Sequence, residues 1–399
     1  MPSSFLFCTA CHQKYPFSTA HPRCSACNEP LDVECRPANT EIFTEAGTLL
    51  ERFRNFLPLD QIHPELSLGE GNTPLVRSSA AATALGLERL FFKNETLNPT
   101  WSFKDRGTIA GLEHAIALGY RKIGTVSTGN MAASVAAYGA RSGLETFILV
   151  SSDLPREKIA PIAVYGPRLI TVDGNYGDLY FRSLEAGAQN GIYFINSDVP
   201  FRIEGSKTIA FEICLQLEFS VPDYLVVPVS AGGNLRGIIK GFEEFLQAGL
   251  IDRLPCFVAA QASGCSPIAD AFISGRDTVE RVEKPNTIAR AIGNPYPPSG
   301  NQTLRKLREH GGLAVKVSDQ DILAARDLLA HEGIFGQPAA AAPLAATRQL
   351  VDSQTIKLSD RVVCLVSGAG FKYMAALKDN ASEITSTDID NLEIILASL

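Results

Sequence analysis

Short apolar segments alternate with Ala-, Leu- and Glu-rich segments of helical spacing along most of this chain. Parallel strands cannot be joined by tight turns, so each strand needs a crossover, which is usually a helix. The predicted strands are residues 122–126, 145–150, 169–172, 192–196, 224–229, 256–260 and 362–366. The clearest predicted helices are residues 45–56, 131–142, 207–218 and 319–331. The pattern predicts an α/β fold with open, mostly parallel sheets that helices cover on both faces.

The composition limits the classes of function. The chain has 399 residues, of which 45% are hydrophobic and 20% charged, enough for two or three domains with a large core. A net charge of -7 argues against nucleic acid or an anionic membrane as the main partner. No apolar run reaches the roughly 18 residues that cross a bilayer, and the N-terminus lacks a secretory signal pattern. We therefore expect a cytoplasmic protein that acts on a small molecule.

Five of the nine cysteines lie in the first 35 residues. The two Cys-x-x-Cys pairs among them, twelve residues apart, are formed by Cys8, Cys11, Cys24 and Cys27. This spacing places four thiolates around one tetrahedral Zn²⁺, and a short ribbon with few apolar residues needs the metal to fold. The alternatives are reduced thiol pairs or disulfides, or His12 or Cys35 in place of one ligand. Four thiolates leave no open position on the metal, so the predicted role is structural.

Lys104 is the best single indicator of chemistry. Residues 98–107 read Asn-Pro-Thr-Trp-Ser-Phe-Lys-Asp-Arg-Gly, and an apolar helical run follows at residues 109–112. A lysine held among apolar neighbours at a loop-to-helix junction has a lowered pKa and can form a Schiff base with an aldehyde. Taken alone, the segment fits an ordinary lysine beside a core aromatic ring better.

Three polar loops follow predicted strands and strengthen the interpretation of Lys104. Residues 230–237, Ser-Ala-Gly-Gly-Asn-Leu-Arg-Gly, join a strand to a helix and can turn backbone N–H groups toward a phosphate. Residues 127–130, Ser-Thr-Gly-Asn, would face the crevice at the carboxyl ends of the strands, although Ser127 or Thr128 could equally be a plain helix cap. The third loop, Ser-Gly-Ala-Gly, begins at Ser367. Lysine, glycine turn and hydroxyl together describe a pyridoxal phosphate site, whereas no nicotinamide or nucleoside triphosphate motif occurs.

These motifs resemble those of the threonine synthase family, within the fold type II class of pyridoxal phosphate enzymes. The similar segments are residues 69–74, 98–107, 127–134, 196–205 and 228–235, and the resemblance runs from about residue 65 to 375. It implies a tryptophan synthase β-like fold with two open parallel-sheet domains and a small N-terminal zinc ribbon, as some members carry. The implied division is a ribbon at 1–37, a large cofactor-binding domain at 38–95 and 197–399, and a small domain at 96–196.

The resemblance also implies a role for each matching residue. Lys104 would hold the cofactor as a Schiff base and act as acid and base, Asn130 would bind the phenolic oxygen, and Ser367 would face the pyridine nitrogen. The implied phosphate loop consists of Ser230, Ala231, Gly232, Gly233, Asn234 and Leu235. The candidate substrate-binding residues are Ser127, Thr128, Asn175, Asn196 and Ser197. The implied reaction converts O-phospho-L-homoserine and water to L-threonine and phosphate, usually in a homodimer.

Some residues depart from the family pattern on the substrate side. Trp101 replaces the usual Gly, Met131 stands where Thr is expected, and Arg182 lies one place later than the family's arginine. The Ser367 loop reads Ser-Gly-Ala-Gly-Phe-Lys-Tyr in place of Thr-Gly-His-Gly-Leu-Lys-Asp. These departures leave open a related β-replacement or elimination enzyme, such as a cysteate synthase or a threonine or serine ammonia-lyase. A zinc-ribbon binding or regulatory protein on a catalytically idle α/β scaffold is the alternative from another class.

Overall fold

A computed structural model describes residues 4–35, 37, 39–45, 47–152, 156–174, 176–377, 389–391, 395 and 397. The strands in this part of the chain are β1 (Phe5–Cys8), β2 (Lys14–Tyr15), β3 (Leu31–Glu34), β4 (Leu75–Arg77), β5 (Arg89–Asn94), β6 (Lys122–Val126), β7 (Glu145–Ser151), β8 (Arg168–Val172), β9 (Ile192–Phe194), β10 (Tyr224–Pro228), β11 (Cys256–Ala262), β12 (Leu313–Val317) and β13 (Arg361–Val366).

The α-helices of the described residues alternate with these strands. They are α1 (Leu49–Arg52), α2 (Ala80–Leu85), α3 (Lys104–Ala117), α4 (Asn130–Ser142), α5 (Arg156–Ala163), α6 (Tyr176–Asn190), α7 (Pro200–Gln216), α8 (Gly233–Gln247), α9 (Pro267–Ile273), α10 (Gly300–Glu309), α11 (Asp319–His331) and α12 (Pro338–Asp352). No described helix combines the length and the apolar character needed to cross a membrane.

The strands form three sheets. The N-terminal ribbon is antiparallel with the order β2-β1-β3. The largest sheet has the order β12-β11-β10-β13-β5-β4, and only its β4–β5 pair is antiparallel. The third sheet, β8-β7-β6-β9, is parallel throughout. Its strands lie within residues 96–196 and those of the largest sheet lie outside that range; the domain boundaries themselves stay a prediction.

Both faces of the largest sheet are buried, which explains why its central strands are apolar throughout. Successive side chains of a strand point to opposite faces. Leu225, Val227 and Val363 accordingly belong to one core cluster, together with residues of α7 and α8. Val226 and Val362 belong to a second cluster, with the alanines of α12. The predicted α/β architecture, with parallel sheets covered on two faces, is confirmed.

Two predicted helices have other bounds in the structure. The helix predicted at 45–56 is only α1, because the Thr48 side chain caps it by accepting from Glu51 N, and a short 3-10 turn (Arg54–Phe56) follows. Helix α7 begins seven residues before the predicted position 207, with Pro200 in its first turn. This helix is buried on nearly all sides, including Glu204 and Lys207, so its sequence shows no polar face.

Candidate active site

Lys104 is the first residue of α3 and is half-buried. Its Nζ lies 4.4 Å from the centroid of the Phe103 ring. Within the described part of the chain, no group hydrogen-bonds or ion-pairs with this Nζ. Burial and the nearby Arg202 guanidinium both disfavour the charged amine, and they lower the pKa of Lys104 to about 7. An appreciable fraction of the amine is therefore neutral at physiological pH.

The loop after β13 lies directly beside Lys104. The Phe103 amide donates to Ser367 O at 3.1 Å, and the Ala369 amide donates to Trp101 O at 2.9 Å. These bonds flank an antiparallel bridge between Ser102 and Gly368. Ser367, which is buried, is thus placed next to the lysine by backbone pairing that its side chain does not influence.

Asn130, at the start of α4, joins the same cluster. Its Nδ2 donates to Gln337 Oε1 at 3.2 Å, and the Gln337 amide donates to Gly368 O at 3.0 Å. Among the described residues, nothing hydrogen-bonds to Asn130 Oδ1 or to Ser102 Oγ, although both atoms are buried. Unsatisfied buried polar atoms are costly, and a bound ligand is one way to satisfy them. Gln337 was not predicted, because a glutamine before a proline-initiated helix has no distinctive signal.

The loop after β10 contains a closely packed glycine turn. Gly232 has a φ of 92°, and a Cβ there would lie 2.9 Å from Ser299 O, while a Cβ on Gly233 would lie 2.6 Å from Ser197 O. Helix α8 starts at Gly233, so its N-terminal amides follow the loop directly. Both polar atoms of the Asn234 side chain are buried without a partner among the described residues.

The remaining members of the predicted phosphate loop differ in exposure. Ser230 and Ala231 are half-buried. Leu235 lies in the hydrophobic core, and only its backbone could contribute to binding. Because β10 and β13 are neighbouring parallel strands, the Ser230 and Ser367 loops lie at the same edge of the sheet.

The candidate substrate-binding residues have different surroundings. Ser127 and Thr128 are half-buried, and Ser127 Oγ accepts from Gly129 N at 3.2 Å. Asn196 is hydrogen-bonded on both sides of its amide, since Oδ1 accepts from Val126 N at 3.1 Å and Nδ2 donates to Ser183 Oγ at 3.1 Å. Ser197 Oγ donates to Tyr180 OH at 3.5 Å. Asn175 lies outside the described residues.

Arg202 is a buried cation of the site that was not predicted. Its Nε and Nη2 lie 3.2 Å from the position of a Cβ on Gly107, in the first turn of α3. It contacts Met131 Sδ, and no carboxylate among the described residues forms an ion pair with it. Burial lowers the pKa of Arg202 to about 10.

By contrast, Arg182 is exposed and pairs with Glu185 at 3.1 Å on the surface. The segment 196–205 resembles the family's, but a buried arginine has no sequence signal of its own.

A buried network holds the Lys104 segment in place. The Asp105 carboxylate accepts from Thr100 N at 2.7 Å and from Thr100 Oγ1 at 2.6 Å. Arg106 pairs with Glu95 and Glu212, each at 2.7 Å. These interactions fix the backbone on either side of the lysine, which is what a preorganised site requires.

A second candidate site lies in the ribbon. The sulfurs of Cys8, Cys11, Cys24 and Cys27 lie within 4.8 Å of one another, with separations of 3.4 Å (Cys8–Cys27) and 3.6 Å (Cys11–Cys24). A tetrahedral Zn²⁺ at about 2.3 Å from each sulfur needs separations of about 3.8 Å. The Ala10 and Ala26 amides each donate to a cysteine sulfur at 3.4 Å. The cluster can hold a metal ion, and in the described residues neither His12 nor Cys35 is part of it.

The fold and the lysine site together identify a class of enzymes. Residues 66–368 match the pyridoxal-phosphate dependent enzyme family. Maize serine racemase, at 22% identity, has a TM-score of 0.64 over 82% of this chain and 92% of its own. Threonine deaminase isoform 2 from Solanum lycopersicum, also at 22% identity, has a TM-score of 0.65 over 78% and 88%. The chain belongs to the pyridoxal-phosphate dependent enzymes and has their fold type II architecture.

Two relatives define the family more closely. The threonine synthase of Methanocaldococcus jannaschii is 41% identical over 352 residues, which are 87% of this chain and 87% of the relative. The threonine synthase of Methanosarcina acetivorans is 36% identical over 390 residues, or 96% of each chain. Within the pyridoxal-phosphate dependent lyases, the chain is a member of the threonine synthase family.

Proposed function

We propose that this protein converts O-phospho-L-homoserine and water to L-threonine and inorganic phosphate, with pyridoxal phosphate bound at Lys104. The observation that carries the proposal is the half-buried lysine with a pKa of about 7 beside the Ser367 loop. Arg202 supports an anionic substrate, because no carboxylate of the described residues forms an ion pair with this buried cation, and Asp105 and Asp198 compensate its charge only from a distance.

The residues present fit the cofactor. Lys104 would bond to its aldehyde carbon, and the Asn130 amide nitrogen, which has a second N–H besides the one donated to Gln337, would donate to its phenolic oxygen. The amides of residues 230–235 and the unpaired Asn234 side chain would bind its phosphate. Ser367 would offer a hydroxyl to the pyridine nitrogen. When bound, the cofactor supplies an electron sink for the pair released at the substrate Cα.

The chain's own residues would move the protons and bind the substrate. Lys104 would remove a proton from Cα and one from Cβ so that the γ-phosphate can leave, and would return protons to Cγ and Cα as water adds at Cβ. A pKa near neutrality suits proton transfer in both directions. Ser367 offers a hydroxyl and not a carboxylate, so it would not hold a proton on the ring nitrogen, and a neutral ring would favour elimination and replacement over transamination. Arg202, with Ser127, Thr128 and Ser197, would bind the substrate's phosphate and carboxylate. Asn196 is already hydrogen-bonded within the protein and would support the substrate-binding residues. Asn175 remains a proposed substrate contact.

Reduction of the holoenzyme with borohydride, followed by peptide mass analysis, tests the cofactor linkage. The expected result is a single modified peptide that carries the label on Lys104, and none in a Lys104→Ala control. A label on another lysine would overturn the assignment. Phosphate release from O-phospho-L-homoserine, compared with phosphoserine plus sulfite and with ketoacid formation from serine or threonine, separates threonine synthesis from the alternative reactions.

We also infer a structural Zn²⁺ in the ribbon and a cytoplasmic homodimer that acts on an amino-acid substrate, without a nucleic-acid or membrane partner. The four-thiolate cluster supports the metal, and the net charge of -7 supports the partner assignment. Exposed Trp101 and Phe371, whose ring centroids lie 6.3 Å apart beside the site, offer an apolar surface for a second subunit. Metal analysis and light scattering of the purified protein test these proposals.

A further inference from the structure

The metal-binding ribbon sends one arginine into the body of the enzyme. Arg23 precedes the candidate ligand Cys24 and is buried. Its Nε donates to Asn28 O at 2.8 Å, so the turn around the second Cys-x-x-Cys pair fixes the direction of its guanidinium. Beyond the ribbon, Nη1 forms an ion pair with the fully buried Asp198 and donates to Pro298 O at 3.3 Å.

These contacts join two walls of one cleft. The Arg23 guanidinium lies 5.2 Å from the centroid of the Phe181 ring in α6, while Pro298 belongs to the chain that leads into α10. Phe181, Tyr180 and Pro298 line a cleft, together with Arg281, Asn294 and Tyr296. A single side chain that contacts both walls sets the distance between them.

The same contacts reach the two loops proposed to bind phosphate groups. Asp198 follows Ser197 in the chain. The Tyr180 hydroxyl donates to the Asp198 carboxylate and accepts a hydrogen bond from Ser197 Oγ. Ser197 O packs against Gly233, at 2.6 Å from the position of a Cβ there. On the other side, Ser299 follows Pro298 and its amide donates to Ala231 O at 3.0 Å. The segments on both sides of the glycine loop are therefore held by residues that Arg23 contacts.

We infer that Arg23 is a positioning residue for the substrate side of the site, and that the metal-binding ribbon contributes to catalysis by holding this arginine in place. The inference rests on the proposed function. Arg23 touches neither the cofactor nor the substrate; it fixes Asp198 and Pro298, and these fix Ser197 and the phosphate loop. Removing Arg23 leaves the Asp198 carboxylate buried without this counterion, and the loop next to Asp198 must rearrange.

The test compares metal- and cofactor-loaded wild type, Arg23→Ala, Arg23→Lys and a control, Arg305→Ala. Arg305 forms another ion pair with the ribbon, to Glu29 at 2.9 Å, but is 41% exposed and is not in contact with the cleft. We expect Arg23→Ala to raise the KM for O-phospho-L-homoserine and the Kd of inorganic phosphate by about tenfold, with a much smaller change in kcat. Arg23→Lys should recover part of the loss, and Arg305→Ala should match wild type.

Metal analysis and calorimetry with inorganic phosphate separate the possible outcomes. Wild-type KM and Kd in Arg23→Ala, with only a lower unfolding midpoint, would overturn the inference. If Arg23→Ala also loses the metal, Asp198→Asn is compared with Tyr180→Phe, which removes the hydrogen bond to Asp198 and keeps its ion pair with Arg23. A larger rise of KM and Kd in Asp198→Asn supports the inference, and equal or absent rises overturn it. If wild type releases no phosphate from O-phospho-L-homoserine, the proposed function fails. The Kd values of inorganic phosphate then still test whether Arg23 is a positioning residue.

Discussion

At the scale of single residues, the site places two cationic side chains next to each other. Lys104 and Arg202 are close enough for the guanidinium to lower the pKa of the amine. No carboxylate of the described residues forms an ion pair with either group, and Asp105 and Asp198 act on Arg202 only from a distance. Burial of both groups strengthens their repulsion, since charges interact more strongly away from water. A bound anion relieves that repulsion, so the two residues favour a phosphorylated ligand for the same physical reason.

The first prediction concerns the reactivity of Lys104 in the apoenzyme. With a pKa of about 7, the amine is increasingly neutral as pH rises to 7 and is neutral above it. The rate of pyridoxal phosphate uptake should rise about tenfold per pH unit below pH 7 and level off above it. Stopped-flow absorbance across this range measures the profile. A rate that keeps rising up to the ordinary lysine pKa would show that the pKa of Lys104 is not lowered.

The second prediction separates substrate binding from stability at Arg202. Arg202→Met keeps most of the side-chain volume and removes a buried charge that has no ion-pair partner among the described residues. The KM for O-phospho-L-homoserine should rise by roughly 10- to 100-fold, because a charge-assisted contact is lost. The free energy of unfolding of the apoenzyme should stay equal or increase. A large loss of stability in denaturant titrations would mean that Arg202 is a structural residue.

At the scale of secondary structure elements, the start of α8 determines the shape of the phosphate loop. Gly232 and Gly249 both have positive φ, at 92° and 70°, and they lie at opposite ends of this helix. A Cβ on Gly232 meets Ser299 O, whereas a Cβ on Gly249 meets open space. An L-residue at either position would therefore have the same backbone strain, and the two positions differ only in their surroundings.

Alanine at these two positions gives the third prediction. Each substitution places an L-residue in the left-handed region at a cost of about 1 kcal/mol. Gly249→Ala should show only that loss of stability. Gly232→Ala should in addition raise the Kd of pyridoxal phosphate at least about tenfold, because the loop must move away from Ser299. Equilibrium dialysis of both variants measures the affinities. Equal cofactor Kd values would show that the shape of the loop at Gly232 does not determine cofactor binding.

Elements buried among apolar neighbours could be predicted from the sequence, and those with buried charges could not. Strand β6 and helix α11 have the predicted bounds, because each has a simple pattern of burial. Strand β5 was missed, since its Lys93 is buried through an ion pair with Glu212 at 2.6 Å. The three polar loops could be found because each follows an apolar strand. Arg202 could not, because a buried charge in a helix resembles a solvated one in sequence.

At the scale of the whole molecule, the ribbon is attached by buried charges as well as by apolar contacts. Asp32 in β3 accepts from Lys240 of α8 at 2.9 Å and lies 4.0 Å from Arg236. Burial alone would raise the pKa of Asp32, but Lys240 and Arg236 hold it below its usual value. Lys240 also pairs with Glu204 of α7 at 2.5 Å. The ribbon thus closes a charge network that α7 and α8 cannot complete by themselves.

The fourth prediction tests this attachment through Asp32→Asn. The substitution is close to isosteric, yet it removes the one carboxylate among the described residues that forms an ion pair with buried Arg236, and leaves Asp198 and Glu204 to act on it from farther away. Breaking one partner of a buried network should cost about 3 kcal/mol. Glu29→Gln is the matched control, because its partner Arg305 is partly exposed and such pairs contribute at most about 1 kcal/mol. Release of the ribbon metal to a chromogenic chelator in urea reports undocking. Its midpoint should fall clearly for Asp32→Asn and hardly for Glu29→Gln, and equal shifts would mean that apolar contacts, not the buried charges, hold the ribbon.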